Sequence, residues 1–149
     1  MDKNNSRIIK YVSTESGFSA TKDYLASDIK PNFSQAASMV IDGSIWILFS
    51  DGKISRYTSG KPDFFNLTGL DVNFISPTVL YTDEDCKNLY ILDSGNKRIV
   101  VIDKDKKLGE YVSQYVWEGL GAASDFVVDE GNRKIYVLSG GKVFSIDLK

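Results

Sequence analysis

The sequence predicts an all-β fold that repeats a unit of four short strands about every 45 residues. Two observations carry this prediction. Segments rich in apolar and β-branched residues alternate with turn residues along the 149-residue chain, and no segment has the periodicity of an amphipathic helix. In addition, an aromatic residue recurs in the most apolar strand of each unit, at spacings of 44 and 46 residues: Trp46, Tyr90 and Tyr136.

The predicted strands follow one another in a constant order. The most apolar strand of each unit occupies residues 44–49, 88–92 and 134–138. It is preceded by strands at residues 38–41, 78–81 and 125–128. Third strands follow at residues 53–57, 98–102 and 142–146. Fourth strands are expected in the first two units, at residues 63–67 and 110–116. Residues 89–92 are apolar throughout, which is typical of a strand that is covered on both faces.

Turn residues lie between the second and third strands. Asp51-Gly52 and Gly140-Gly141 are dipeptides typical of tight β-hairpins. Four antiparallel strands repeated about every 45 residues are the sequence signature of a β-propeller blade. We therefore predict that this chain contains about three propeller blades.

The N-terminal segment fits the same period. Residues 5–8 (NSRI) align with residues 96–99 (NKRI) at an offset of 91 residues, which is about two periods. This alignment predicts a third strand at residues 7–12 and a fourth at residues 20–25, for thirteen strands in the chain. The expected units of this single domain are a half blade at 1–33, blades at 34–73 and 74–121, and a partial blade at 122–149.

Residues 89–103, LYILDSGNKRIVVID, resemble an NHL-type β-propeller repeat. The positions that match the pattern of this family are Asp93, Ser94, Gly95, Asn96, Arg98 and Ile99. Residues 49–54 and 138–143, at the same place in the other units, depart from it. The resemblance implies a six-bladed propeller that binds proteins, glycans or nucleic acid, with hydrolases and lyases as a minority. Together with turn chemistry, it implies that Asp93, Gly95, Asn96 and Arg98 shape the turn, with Asp93 accepting backbone N–H bonds and Arg98 pairing with a carboxylate.

Composition excludes several classes of site. The chain has no histidine, which removes Ser-His-Asp and Cys-His catalysis and histidine-bearing zinc sites. Acidic and basic residues are interleaved at a net charge of −2, without a basic stripe, so we expect no nucleic-acid partner. We also expect no metal and no cofactor, because the acidic turns at residues 83–85 and 103–105 lack the spacing of a calcium loop.

Cys86 is the single cysteine, which excludes an internal disulfide. Residues 1–5 are polar, and no apolar run is long enough for a signal peptide or a membrane span. We therefore expect a soluble chain that makes no membrane contact itself. The sequence does not indicate its compartment.

Three blades cannot close a propeller, because known propellers contain about four to eight. The strand at residues 44–49 is apolar on both faces, so an open arc is expected to expose an apolar face at each end. We predict a homodimer in which two arcs form one six-bladed ring about a two-fold axis. The N-terminal strands of one chain would complete the blade begun by residues 125–147 of the other, with one strand displaced. The alternatives are a piece of a longer propeller and a higher oligomer.

Four aromatic residues are candidate binding residues. Trp46, Tyr90 and Tyr136 occupy equivalent places, where they would line a central channel and stack on a ligand, or pack between blades. Trp117 lies in a loop between blades and is the better candidate for an exposed contact with a protein or a glycan.

The function that we predict from the sequence is a non-catalytic binding or scaffolding module that assembles with itself. No catalytic residue is predicted. One alternative is a hydrolase or lyase that uses carboxylates and calcium in a propeller channel. The other is a fragment of a larger sensor or receptor propeller.

Overall fold

The computed structural model describes residues 1–105 and 108–149, and it confirms the prediction of an all-β fold. The described residues contain sixteen β-strands and two short 3₁₀ turns, at Ser94–Asn96 and Glu118–Ala122. The strands form an N-terminal hairpin and three larger sheets, which are called here the first, central and terminal sheets.

The hairpin contains β1 (Ile9–Lys10), β2 (Ser13–Thr14), β3 (Gly17–Phe18) and β4 (Lys22–Asp23), with β1 paired to β4 and β2 to β3. The first sheet contains, in spatial order, β5 (Ala36–Ile41), β6 (Ile45–Phe49), β7 (Ile54–Thr58) and β8 (Lys61–Asp63). The central sheet contains β9 (Asn66–Thr68), β10 (Pro77–Tyr81), β11 (Asn88–Asp93), β12 (Arg98–Asp103) and β13 (Leu108–Val116), and its spatial order is β10-β11-β12-β13-β9. The terminal sheet contains, in order, β14 (Ala123–Asp129), β15 (Lys134–Ser139) and β16 (Lys142–Asp147).

The strands predicted for the three repeats agree with the structure to within two residues at each end, with one exception. The predicted fourth strand at residues 63–67 is wrong. Residues 61–63 form β8 in the first sheet, whereas residues 66–68 form β9, which pairs in parallel with β13 of the central sheet. The error has a local cause: Ser59 and Gly60 adopt positive φ angles of 51° and 79°, so the chain turns early and β8 begins at Lys61.

The N-terminal prediction also needs correction. Residues 7–12 and 20–25 were expected to form one strand each, but they contribute the short strands β1 and β4 of a long hairpin. Its tip adds β2 and β3. The two segments are nevertheless adjacent, as expected, because the hairpin brings Ile9 opposite Asp23.

Strand β11 is covered on both faces, as its unbroken apolar sequence predicts. Leu89 and Ile91 pack towards the first sheet, in a core that also contains Trp46 and Leu48. Tyr90 and Leu92 pack on the opposite side, in a core shared with the terminal sheet. The central sheet is therefore stacked between two other sheets, as a blade is in a propeller.

The two ends of this stack differ. The outer face of the first sheet is covered by the chain's own N-terminal residues, since Ile8 and Phe33 bury Ile45 and Ile47 to 5% exposure or less. The outer face of the terminal sheet, by contrast, remains exposed. The expectation of an open apolar face at each end is therefore wrong for the N-terminal end, because Ile8 and Phe33 of the same chain pack over it.

Candidate functional site

The exposed outer face of the terminal sheet is the first candidate site. Four apolar side chains of β14, β15 and β16 lie side by side there, with exposed fractions between 39% and 70%: Val127, Tyr136, Leu138 and Val143. Val127 pairs with Tyr136 across the sheet, and Leu138 pairs with Val143. Together they form a shallow apolar depression of about 180 Å³. These four residues are called the open face below.

The register of the strands identifies the residues of the central sheet that are equivalent to the open face, and these residues show what it would contact. Alignment of β10–β12 with β14–β16 pairs Tyr81 with Val127, Tyr90 with Tyr136, Leu92 with Leu138 and Ile99 with Val143. In the central sheet these positions pack against the terminal sheet. The open face therefore consists of residues whose counterparts in the central sheet pack against the next sheet of the stack.

A groove between the central and terminal sheets is the second candidate site. It has a volume of about 460 Å³ and lies between β13 and the edge strand β16. Trp117 and Phe144 meet there edge to face, with ring centroids 4.8 Å apart. Tyr115 stands beside them, and its hydroxyl oxygen accepts the backbone N–H of Lys149 at 3.0 Å. Trp117, predicted from the sequence to be a contact residue, thus lines an accessible aromatic groove.

Trp46 and Tyr90 lie elsewhere, each 2% exposed within a core. The Nε1 atom of Trp46 donates to Oδ1 of Asp42 at 2.7 Å. The other oxygen of that carboxylate accepts from Nζ of Lys104 at 2.6 Å, which links the first sheet to the turn after β12. Trp46 and Tyr90 are therefore packing residues between sheets, and Tyr136 alone of the three equivalent aromatic residues is accessible.

Glu130 links the central and terminal sheets, a role that the sequence analysis missed. Its Oε1 atom accepts the hydroxyl proton of Tyr90 at 2.8 Å and the backbone N–H of Asn88 at 3.3 Å. Its Oε2 atom accepts the backbone N–H of Lys87 at 2.9 Å. Burial, followed by the neighbouring Glu130 carboxylate, raises the pKa of Tyr90 well above its ordinary value. The charged partner lies 40 residues away in sequence, so no local pattern reveals it.

Asp93 organises the turn between β11 and β12. Its Oδ1 atom accepts the backbone N–H groups of Ile75 and Ser76 at 3.1 and 3.0 Å. Its Oδ2 atom accepts from Asn96 at 2.7 Å and from Arg98 at 3.0 Å. Backbone donors were expected for Asp93, but these two belong to the segment that leads into β10. Burial alone would raise the pKa of Asp93, yet these hydrogen bonds outweigh it and hold the pKa below the ordinary value.

Gly95 is also required in this turn. A Cβ atom at this position would lie 2.7 Å from Ile75 and 3.1 Å from the backbone nitrogen of Ser76. Any side chain would push the turn away from the segment that Asp93 binds, so the close approach requires glycine.

A second copy of the Asp93 turn lies at the N-terminus. Oδ2 of Asp2 accepts from Asn5 at 2.8 Å and from Arg7 at 2.9 Å, the same pattern as Asp93 with Asn96 and Arg98. The fourth residue after each aspartate, Ser6 or Lys97, has a φ near 50°. Hydrogen bonds from Asn5 and Arg7 lower the pKa of Asp2 to about 2. The sequence alignment began at Asn5 and missed Asp2, although the same offset of 91 residues places it on Asp93.

The acidic turn at residues 83–85 is shaped by its own backbone. Oδ1 of Asp83 accepts the N–H groups of Asp85 and Cys86 at 3.0 and 2.8 Å. Within the described residues, no group of three or more potential metal-ligating side chains comes together. Among the same residues, no helix is long and apolar enough to cross a membrane.

Comparison with known proteins identifies the fold and no more. No family model matches the chain, and no curated protein matches it. Among solved structures, the chain is similar to one in a crystal structure of a nidogen/laminin complex, with a TM-score of 0.64 and 16% identity, over 96% of this chain and 55% of that one. It is also similar to a streptogramin B lyase (TM-score 0.56, 17% identity, 98% and 49% of the two chains) and to a virginiamycin B lyase from Staphylococcus aureus (0.56, 16%, 97% and 50%).

These similarities show a β-propeller-like fold. The chain spans about half the length of the three solved chains to which it is compared.

Proposed function

We propose that this chain is a non-catalytic β-propeller module for protein binding and scaffolding, and that it assembles with itself into a homodimer that closes a ring. The open face is the observation that carries the proposal. It exposes Val127, Tyr136, Leu138 and Val143 at positions that the preceding sheet uses to bury its neighbour. A surface built for contact with another sheet is, in this chain, available to a partner.

The free energy available at the open face is substantial. Complete burial of one large apolar side chain contributes about 1.5–3 kcal/mol. The open-face residues are already about half buried, so their remaining exposed area offers roughly 1 kcal/mol each. Apolar clusters of this kind on soluble proteins mark interaction sites.

A second copy is the partner in this proposal. The solved propeller-like chains are about twice as long as the 149 residues described by this sequence. A two-fold axis is the commonest symmetry of homo-oligomers, and it would close the assembly with two equal contacts. We assign the sheets to NHL-type blades, because the Asp93 turn that carries the resemblance recurs at Asp2 with the same hydrogen bonds.

The groove at Trp117 supplies a second binding surface in this proposal. Its aromatic rings and the adjacent edge of β16 suit an extended protein segment or the face of a sugar ring. The absence of histidine from the sequence supports a binding role over acid–base catalysis.

The experiment is a comparison of molar masses by light scattering coupled to size exclusion. The wild-type chain is expected at twice 16.6 kDa, and Leu138→Asp, which places a charge in the open face, is expected at 16.6 kDa. Val112→Asp is the matched control, because Val112, like Leu138, is an exposed aliphatic residue of a strand (53% and 40%) but lies outside both candidate surfaces. A Leu138→Asp variant that remains a dimer would remove the open face from the proposal.

A further inference from the structure

The N-terminal hairpin carries an apolar surface of its own. Tyr11, Val12 and Phe18 are 57%, 44% and 74% exposed, and the rings of Tyr11 and Phe18 meet edge to face with centroids 6.4 Å apart. These three residues are called the hairpin surface. The stem of the hairpin is fixed, because Ile8 is buried against the first sheet.

Sequence register places Tyr11 of the hairpin surface at the outer side of this end of the stack. At the offset of 91 residues, Ile8 aligns with Ile99 and Tyr11 aligns with Ile102. In the central sheet, Ile99 packs against the following sheet and Ile102 against the preceding one. Ile8 likewise packs against the sheet that follows it, whereas Tyr11 occupies the position that contacts a preceding sheet and is exposed.

From these observations, and resting on the proposed homodimer, we infer that the hairpin surface of one copy packs on the open face of a second copy. The hairpin surface of the second copy packs on the open face of the first in the same way. The two-fold axis makes the two contacts identical, and together they cover both apolar surfaces of both chains. A dimer formed by two open faces alone would cover that surface once and leave both hairpin surfaces exposed to water.

Complementation between two variants tests this pairing. Phe18→Asp damages only the hairpin surface, and Leu138→Asp damages only the open face. Each variant alone is expected at 16.6 kDa by light scattering, because both contacts of its homodimer are lost. An equimolar mixture is expected to have a higher average mass than either variant alone at the same concentration, because one intact contact forms between the two different variants.

The outcomes separate this inference from the proposed function. A Phe18→Asp protein that remains a dimer while Leu138→Asp is a monomer overturns the hairpin contact and leaves self-assembly intact. A mixture of two monomeric variants that stays at 16.6 kDa also overturns the pairing. A wild-type chain at 16.6 kDa overturns the homodimer itself.

Cross-linking gives a second readout that does not depend on loss of assembly. Phe18→Cys and Val143→Cys place one thiol in each surface, and an added oxidant is expected to join the two variants only when they are mixed. Cys86 does not compete, because it is 5% exposed and burial, with help from Asp83, raises the pKa of its thiol to about 12. Efficient disulfide formation by Val143→Cys alone indicates paired open faces and overturns the inference.

Discussion

At the scale of single residues, the same type of turn occurs twice in the chain, once buried and once exposed. The ion pair of Asp93 and Arg98 is buried, with side-chain exposures of 0% and 6%. The ion pair of Asp2 and Arg7 has the same side-chain hydrogen bonds but exposures of 24% and 49%. Asp93 also accepts the backbone N–H groups of Ile75 and Ser76. Burial and these added hydrogen bonds should together make the Asp93 turn matter more for stability.

The comparison of two alanine variants tests this expectation. Asp93→Ala leaves the buried Arg98 guanidinium without its carboxylate, and should lower the free energy of unfolding by about 3–5 kcal/mol. Asp2→Ala should change it little, because solvent screens the exposed Arg7. Urea denaturation of both variants measures the difference. Equal losses in the two variants would show that burial does not distinguish the two turns.

The pH dependence of stability follows from the lowered pKa of Asp93. A carboxyl group whose pKa is lower in the folded state than in the unfolded state stabilises the fold at pH values above its unfolded pKa of about 3.9. This contribution is lost as the pH falls through the lower folded pKa. The melting temperature should therefore fall below about pH 4, and less steeply in Asp93→Asn than in the wild-type chain. Identical pH profiles would assign the acid sensitivity to other carboxylates.

At the scale of structural elements, the alternation of strands and turns was readable because it is local. The apolar run at residues 89–92 correctly predicted a strand with two covered faces. The fourth strand of the first sheet was misplaced because the Ser59-Gly60 turn was overlooked, although a Ser-Gly dipeptide is a turn signal. The parallel pairing of β9 with β13 could not be predicted, since it joins residues about 40 positions apart without any local pattern.

The candidate site was predictable only in part for the same reason. The place of Trp117 in a loop between sheets was readable from the sequence, and its role as a contact residue stays a prediction. The contacts of Glu130 and the fold-back of Phe33 over the first sheet depend on tertiary packing. Aromatic residues at equivalent positions also differ in their exposure to solvent. Tyr90 is buried between two sheets and Tyr136 is exposed, because a sheet follows the central sheet and the terminal sheet's outer face stays open.

Removal of one hydroxyl group tests the contact between these elements. Tyr90→Phe removes the hydrogen bond to the Glu130 carboxylate, and should lower the free energy of unfolding by about 1–2 kcal/mol. Tyr136→Phe, the same change at the equivalent exposed position, should stay within about 0.5 kcal/mol of the wild-type value. Thermal or urea denaturation measures both. A neutral Tyr90→Phe variant would mean that the Glu130 contact does not hold the sheets together.

At the scale of the whole molecule, the account depends on an arc with two unlike ends. Its N-terminal end carries the hairpin surface, and its C-terminal end carries the open face. Seven apolar side chains form the two surfaces, so each contact lies at the small end of the range for specific interfaces. Dissociation constants on the order of micromolar are expected, and assembly should therefore be measured well above that concentration.

The most direct test of the central claim is the molar mass of the wild-type chain in solution, measured by light scattering at about 200 μM, a concentration well above the expected dissociation constant. The account predicts twice 16.6 kDa, with the mass falling towards 16.6 kDa on dilution. A stable species of 16.6 kDa at the highest concentration would contradict it, because the open face would then remain exposed to water in the isolated chain.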